Sequence, residues 1–308
     1  MSSAGIHHVT AIAGEPRRNL DFYTRTLGLR LVKKTVNFDD PGTYHFYFGD
    51  EAGHPGTILT FFPWAHSAPG RIGIGETQET VFRVPEASLG FWMQRLIGHG
   101  VKHEAPKKRF GETVLAFQDP DGMRLALAAL PGIEGEPAWK SDVPAEAAIR
   151  GFHGVNLLLA DAAPTAEILT GVLGFREVGR DGSLIRYKAA GNGPGQIVDL
   201  HAAGDFLPGW LGKGSVHHVA FRAKDDAEQA AIAKMLRDRG LAPTEQMDRN
   251  YFRSVYFREP GGVLFEIATD APGFVVDEPA YALGEALKLP PFLEKRRTAL
   301  EAVLPVLD

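Results

Sequence analysis

The chain has 308 residues, 33 Lys+Arg against 38 Asp+Glu, a formal net charge of −5 and 44% hydrophobic residues; it can bury a core of two domains, and its mild, dispersed charge argues against a nucleic-acid groove or a polybasic membrane patch. It contains no cysteine, which excludes disulfides, thiolate metal sites and a cysteine nucleophile, and accords with a reducing cytoplasm. The opening MSSAGIHHV lacks the pattern of a secretory signal and no apolar run approaches the roughly 20 residues of a membrane span, so a soluble cytoplasmic protein is expected.

In chain order, one pattern recurs four times. The first unit, 5–63, opens with the strand-like IHHVTAIA and continues through an amphipathic helix closed by Gly28 to three further strand-like segments. The second, 76–131, begins with TVFRVPE, closes its helix at Gly100 and ends in AFQDPDGMRLALAAL, a strand, a Pro-Gly turn and a strand. Residues 132–148 read as a linker, with the Pro- and Gly-rich PGIEGEPAWKSDVP at its core. The third unit, 149–203, begins HGVNLLLA and closes its helix at Gly174; the fourth, 214–270, begins HHVAFRA, passes Gly240 and ends in YFREPGGVLFEIATD. A tail from Pro272 finishes in PFLEKRRTALEAVL, which reads as a helix. The expected organisation is an N-terminal half, 1–131, the linker, and a C-terminal half, 149–308.

The His-His pair of the first unit, His7 and His8, returns in the fourth as His217 and His218. Strand alternation assigns faces. In HHVAFRA, Val219, Phe221 and Ala223 form an apolar face, leaving His218 on the other; in IHHVTAIA, His8 and Thr10 likewise oppose Val9 and Ala11. Phe265 and Ile267 turn Glu266 to the same side as His218, and Val255 and Phe257 do so for Tyr256. Glu266 stands among apolar neighbours, where an isolated carboxylate would be costly and a metal cation would remove the cost. Positions equivalent to the histidines are Glu79 and Gly154 in units two and three, and Ala126 stands where Glu266 would be. One metal site is therefore expected, held by His8, His218 and Glu266, and it requires units one and four to share a concave sheet while two and three share another.

A βαβββ unit in four copies, with His on first strands and Glu on a last one, resembles the vicinal oxygen chelate superfamily, which includes glyoxalases, bleomycin resistance proteins and extradiol dioxygenases. The resemblance covers about residues 5–270 and implies an α+β fold of two open, cup-like barrels. The split of the ligands between the first and last units is similar to that of hydroquinone-type ring-cleaving dioxygenases. It implies a facial triad for Fe(II), a donor set that Mn(II) also accepts, with a small aromatic substrate and O₂ as partners. Motif by motif it also implies substrate-side roles for His7, Thr10, His217, Arg249 and Tyr256. The alternation agrees for Thr10 and Tyr256 and turns His7 and His217 away. Two alternatives stay open: a glyoxalase-like isomerase or lyase, against which Thr60 stands where a second carboxylate would be, and a non-catalytic binding or resistance protein of the same fold. His45, His54, His66, His99 and His103 read as surface residues, His153 as a relic of the repeat, and TILTFFPWAH as core. Substrate identity and homo-oligomerisation are left open.

Overall fold

The computed structural model describes residues 5–307. In the first module β1 (Ile6–Ala13) leads through α1 (Pro16–Asp21), which widens into a π-helical turn (Phe22–Thr26), to β2 (Arg30–Val36), β3 (Tyr44–Gly49) and β4 (Ile58–Pro63). The second contains β5 (Glu76–Pro85), α2 (Leu89–Gly98), β6 (Lys107–Arg109), β7 (Glu112–Gln118) and β8 (Arg124–Leu130). The third contains β9 (Phe152–Leu159), α3 (Ala163–Gly171), β10 (Arg176–Asp181), β11 (Leu184–Lys188) and β12 (Ile197–Ala202). The fourth contains β13 (Val216–Ala223), α4 (Asp226–Arg237), β14 (Met247–Asp248), β15 (Arg253–Arg258) and β16 (Leu264–Thr269). Gly28 and Gly240, just past the first and fourth helical segments, have φ of 70° and 79°, a left-handed conformation that glycine alone adopts without Cβ strain.

The strands form two eight-stranded sheets, ordered β14-β15-β16-β13-β1-β4-β3-β2 and β10-β11-β12-β9-β5-β8-β7-β6. Each module thus folds its first strand parallel against its last, and the modules join through antiparallel first strands, β1 with β13 and β5 with β9. Modules one and four share one sheet, modules two and three the other, as the ligand distribution demanded. One apolar cluster draws on both sheets, with Phe48, Phe61, Phe221 and Phe265 from one and Phe82, Leu127 and Leu157 from the other. Phe221 and Phe265 are among the alternate residues that the sequence pattern set on the apolar face.

The sheets are also tied by two acidic residues in equivalent turns. Asp119, in QDPDG, accepts hydrogen bonds from the amides of Asp121 (2.9 Å) and Met123 (2.8 Å) and from the Tyr23 hydroxyl of the first module (3.0 Å). Glu259, in REPGG, accepts from the amides of Gly261 and Val263, both at 2.8 Å, and from the Thr165 hydroxyl on α3 at 2.6 Å. Each acid closes its own turn and reaches a helical segment of the preceding module. The module repeat therefore carries its own cross-sheet clamp.

The tail departs from the expected long helix. Within 291–304 only a 3₁₀ turn (Glu294–Arg296) and the short α5 (Arg297–Glu301) form. Leu293, Leu300 and Leu304 are buried against the main core, so the segment is shaped by docking rather than by helix propensity. Upstream, Phe274 and Leu283 join Tyr47, Tyr251 and Phe252 in a second cluster behind the first cup. Among the described residues, no helix is long and apolar enough to cross a membrane.

Burial pushes the Asp119 carboxyl up to about 6, in spite of the donors that favour its charged form. A raised carboxyl pKa means that the folded chain holds a proton the unfolded chain releases from about pH 4 upward. Asp119 therefore lowers stability as pH rises from about 4 to 6. Urea midpoints across that range should decline less in Asp119→Asn than in the parent; identical slopes would contradict this role.

Candidate metal centre

The first cup is built from rows of side chains fixed by strand register. His8 on β1 pairs with Ala220 on β13, Ala220 with Glu266 on β16, and Glu266 with Tyr256 on β15. A second row runs Tyr47, Thr60, Thr10, His218 across β3, β4, β1 and β13. Ala220 separates His8 from Glu266, and its methyl group leaves the space in front of it free for both side chains to converge. His218 enters from the adjoining row.

His8, His218 and Glu266 are all buried, and Glu266 is fully inaccessible. His8 Nε2 lies 3.3 Å from His218 Nε2 and 3.3 Å from Glu266 Oε2; His218 Nε2 lies 2.9 Å from the same oxygen. Three donor atoms about 2.1 Å from a common ion, at right angles to one another, lie about 3.0 Å apart. The observed edges fit such a centre. Glu266 Oε1 accepts from the Ser254 hydroxyl at 2.5 Å, but Oε2 has no aligned hydrogen-bond donor in spite of the nearby imidazoles. A buried carboxylate oxygen without a donor, facing two imidazole nitrogens, is chemically incomplete and fits a divalent cation. Burial by itself would raise the Glu266 carboxyl; the two imidazoles hold it well below the usual range. Among the described residues this is the one group of His, Asp and Glu able to hold a metal ion.

The repeated His-His pairs have a local explanation. His7 Nδ1 lies 2.9 Å from His8 Nδ1, and His217 Nδ1 lies 2.8 Å from His218 Nδ1. For His8 and His218 to present a bare Nε2 to an ion, each must carry its proton on Nδ1 and donate it to the preceding histidine. Burial lowers His7 well below its ordinary value and His217 to about 3, so both are neutral and able to accept. Neither lines the cavity beside the triad. They are placed to orient the ligand imidazoles.

Thr10, Arg249 and Tyr256 do line that cavity, together with Phe62 and Phe252. The Tyr256 ring lies 5.5 Å from that of His218, and its hydroxyl is raised above the ordinary value by burial and by Glu266. Arg249 arrives through a tight turn: Asn250 has φ 68° and its amide donates to Asp248 Oδ1 at 2.8 Å. The guanidinium sits 5.5 Å above the Tyr256 ring and forms paired bonds to Asp39 at 3.2 and 2.9 Å.

One surface assignment and one core assignment need correction. His45 is part-buried, lines the cavity and contacts Tyr47, Phe62 and Thr60. The alternation in YHFYF carries the signal, since Tyr44, Phe46 and Phe48 belong to the core and His45 and Tyr47 must therefore face the cup. In TILTFFPWAH, Phe61 is core but Phe62 lines the cavity.

The second cup shows the contrast. Its register sets Glu79 opposite Asn156, and Asn156 beside Asp199, the place Glu266 takes in module four. There Arg186 grips Asp199 through bonds of 2.8 and 2.9 Å and also reaches Glu112 at 2.6 Å, while Arg109 pairs with Glu79. His153 faces Glu112 at 3.1 Å and His201 faces Gln78 at 3.0 Å. Guanidinium groups neutralise this cup.

Comparison with known proteins places the chain. The family described as Glyoxalase/Bleomycin resistance protein/Dioxygenase superfamily matches residues 5–127 and 151–267. MhqO of Bacillus subtilis (strain 168), provisionally named a ring-cleaving dioxygenase, is 46% identical over 96% of this chain and 94% of its own. The chlorohydroquinone/hydroquinone 1,2-dioxygenase of Sphingobium indicum (strain UT26S) is 36% identical over 94% of this chain and 92% of its own. The crystal structure of a provisionally named dioxygenase from Bacillus subtilis subsp. subtilis str. 168 superposes with a TM-score of 0.95 at 45% identity, covering 100% of this chain and 98% of that one.

Because Ala220 leaves room for the triad, Ala220→Leu should fold yet bind Mn(II) at least about tenfold more weakly in equilibrium dialysis, whereas Ala220→Gly should retain binding. Unchanged affinity in Ala220→Leu would place the ion elsewhere.

Proposed function

Since the chain belongs to the glyoxalase/bleomycin resistance protein/dioxygenase superfamily, we propose that it is a non-heme Fe(II)-dependent dioxygenase that opens the ring of hydroquinone or a related phenol with O₂. The observation that carries this reading is the donor set: two imidazoles and a single carboxylate beside a cavity with aromatic walls. Such a triad occupies one face of an ion and leaves positions for a substrate oxygen and O₂. The name of the Sphingobium relative supports hydroquinone as the ring class. Mn(II) satisfies the same donors and is the alternative metal.

Bound by His8, His218 and Glu266, Fe(II) would supply Lewis acidity toward a phenolic oxygen and electrons toward O₂. The protein's own groups handle orientation and protons. Tyr256, whose hydroxyl stays protonated because burial and Glu266 disfavour its anion, acts as a hydrogen-bond donor rather than a base. Arg249 contributes a permanent positive charge at the cavity wall, and Asp39 holds it arched over Tyr256. Phe62 and Phe252 provide apolar walls that exclude water from a planar ring. His7 and His217 fix the tautomers of the ligand histidines.

A glyoxalase-like isomerase is the second reading. It is disfavoured by Thr60, which stands in module one where module four has Glu266 and gives no second carboxylate. Anaerobic reconstitution with Fe(II), followed by O₂ uptake with hydroquinone, catechol and a methylglyoxal–thiol adduct, separates the readings. Uptake with hydroquinone is expected; turnover of the adduct alone would overturn the proposal. Tyr256→Phe should keep its iron and lose about 100-fold in rate, and unaltered kinetics would remove Tyr256 from the chemistry.

A further inference from the structure

Beside the triad lies a hydrogen-bonded row that metal binding does not require. Tyr47 Oη lies 2.9 Å from His45 Nδ1, His45 Nε2 lies 2.8 Å from Thr60 Oγ1, and Thr60 Oγ1 donates to Thr10 Oγ1 at 2.9 Å. Thr60 is inaccessible to solvent, Thr10 and Tyr47 nearly so, and Tyr47, His45 and Thr10 line the cavity. Of these four residues only Thr10 had a substrate-side role implied by the sequence resemblance.

The direction of the row follows from counting protons. The Tyr47 hydroxyl has one proton and His45 Nδ1 as its partner, so it donates there; the ring hydrogen then sits on Nε2, and Thr60 accepts it and gives its own proton to Thr10. Burial, with the charge of Arg249 adding to it, lowers His45 well below its ordinary value, so the ring is neutral and Nδ1 is bare. The Tyr47 hydroxyl fills that position as donor; it has no other hydrogen-bond partner among the described residues. At the far end Thr10 receives a bond, and its own proton is left without a partner among the described residues. Thr10 is two residues from His8 on β1 and pairs with His218 across the sheet. Its O–H is thus a donor of set direction at the edge of the metal centre.

We infer that His45 is a positioning residue which, through Thr60, holds the Thr10 hydroxyl as a donor toward an oxygen of the ring substrate. The inference rests on the ring-cleavage reading for the identity of the substrate, but not for the order of the row. A donor at this place favours an oxygen that accepts, such as a phenolate or a carbonyl, over a hydroxyl that must itself donate. The residue selects the ionised form of a phenol without touching it.

Two measurements test this, one of them independent of turnover. Long-range ¹H–¹⁵N spectra of the metal-free protein at pH 7 should show His45 as the neutral Nε2–H tautomer, and Thr60→Val should abolish that single state. A charged ring or an Nδ1–H tautomer in the parent would overturn the inference. In the iron-loaded enzyme, His45→Phe and Thr60→Val should each lower kcat/KM for hydroquinone about tenfold, the loss of one oriented hydrogen bond. The double variant should be no worse than the poorer single one, and Thr60→Ser, which keeps the hydroxyl, should recover most of the loss at unchanged iron content. Additive losses, or Thr60→Val at full rate, would overturn it. If the parent protein failed to cleave any ring, the functional reading would fall, and the tautomer would still judge the row.

Discussion

A carboxylate buried in a β-sheet, with one oxygen lacking any aligned donor, is the constraint around which this molecule is arranged. Glu266 could not persist there beside apolar neighbours unless positive charge met it. The groups facing that oxygen are two imidazoles from opposite ends of the chain, and together the three side chains form a donor set that could hold a metal ion. Much of the fold can be read as the means of bringing them together. Modules one and four must share a sheet, β1 must lie against β13 in a register that pairs Thr10 with His218, and Ala220 must remain small.

The second sheet shows that the module itself does not dictate this outcome. The same strand order there carries Glu79, Gly154 and Asp199 at the corresponding places, and Arg109 and Arg186 meet the carboxylates. A guanidinium is a fixed cation that satisfies a buried acid permanently. An ion held by neutral histidines satisfies it while keeping positions open. The two cups thus differ in what faces the buried acid: guanidinium groups in one, imidazoles in the other.

The repeat and the faces of the central strands were legible in the sequence because a period of two is hard to disguise when one face is apolar. That reading yields the four modules, the pairing of one with four, and the inward turn of His8, Thr10, His218, Tyr256 and Glu266. It misjudged His45, although YHFYF obeys the same alternation, because the faces of that strand were not assigned. The roles of His7 and His217 were not accessible, since a contact between Nδ1 atoms depends on ring rotation and not on which face a residue occupies. Alternation could not place Arg249, which the resemblance alone named: the left-handed Asn250 redirects the chain, and no periodicity survives such a turn. The tail, shaped by three leucines docking on a distant core, misled helix patterning in the same way.

The central claim is that His8, His218 and Glu266 hold one divalent ion between them. Crystals soaked anaerobically in Fe(II) and measured on both sides of the iron absorption edge address it most directly. The account predicts a single anomalous peak per chain within bonding distance of both Nε2 atoms and of Glu266. A peak in the second cup, or none at this triad under saturating metal, would contradict it.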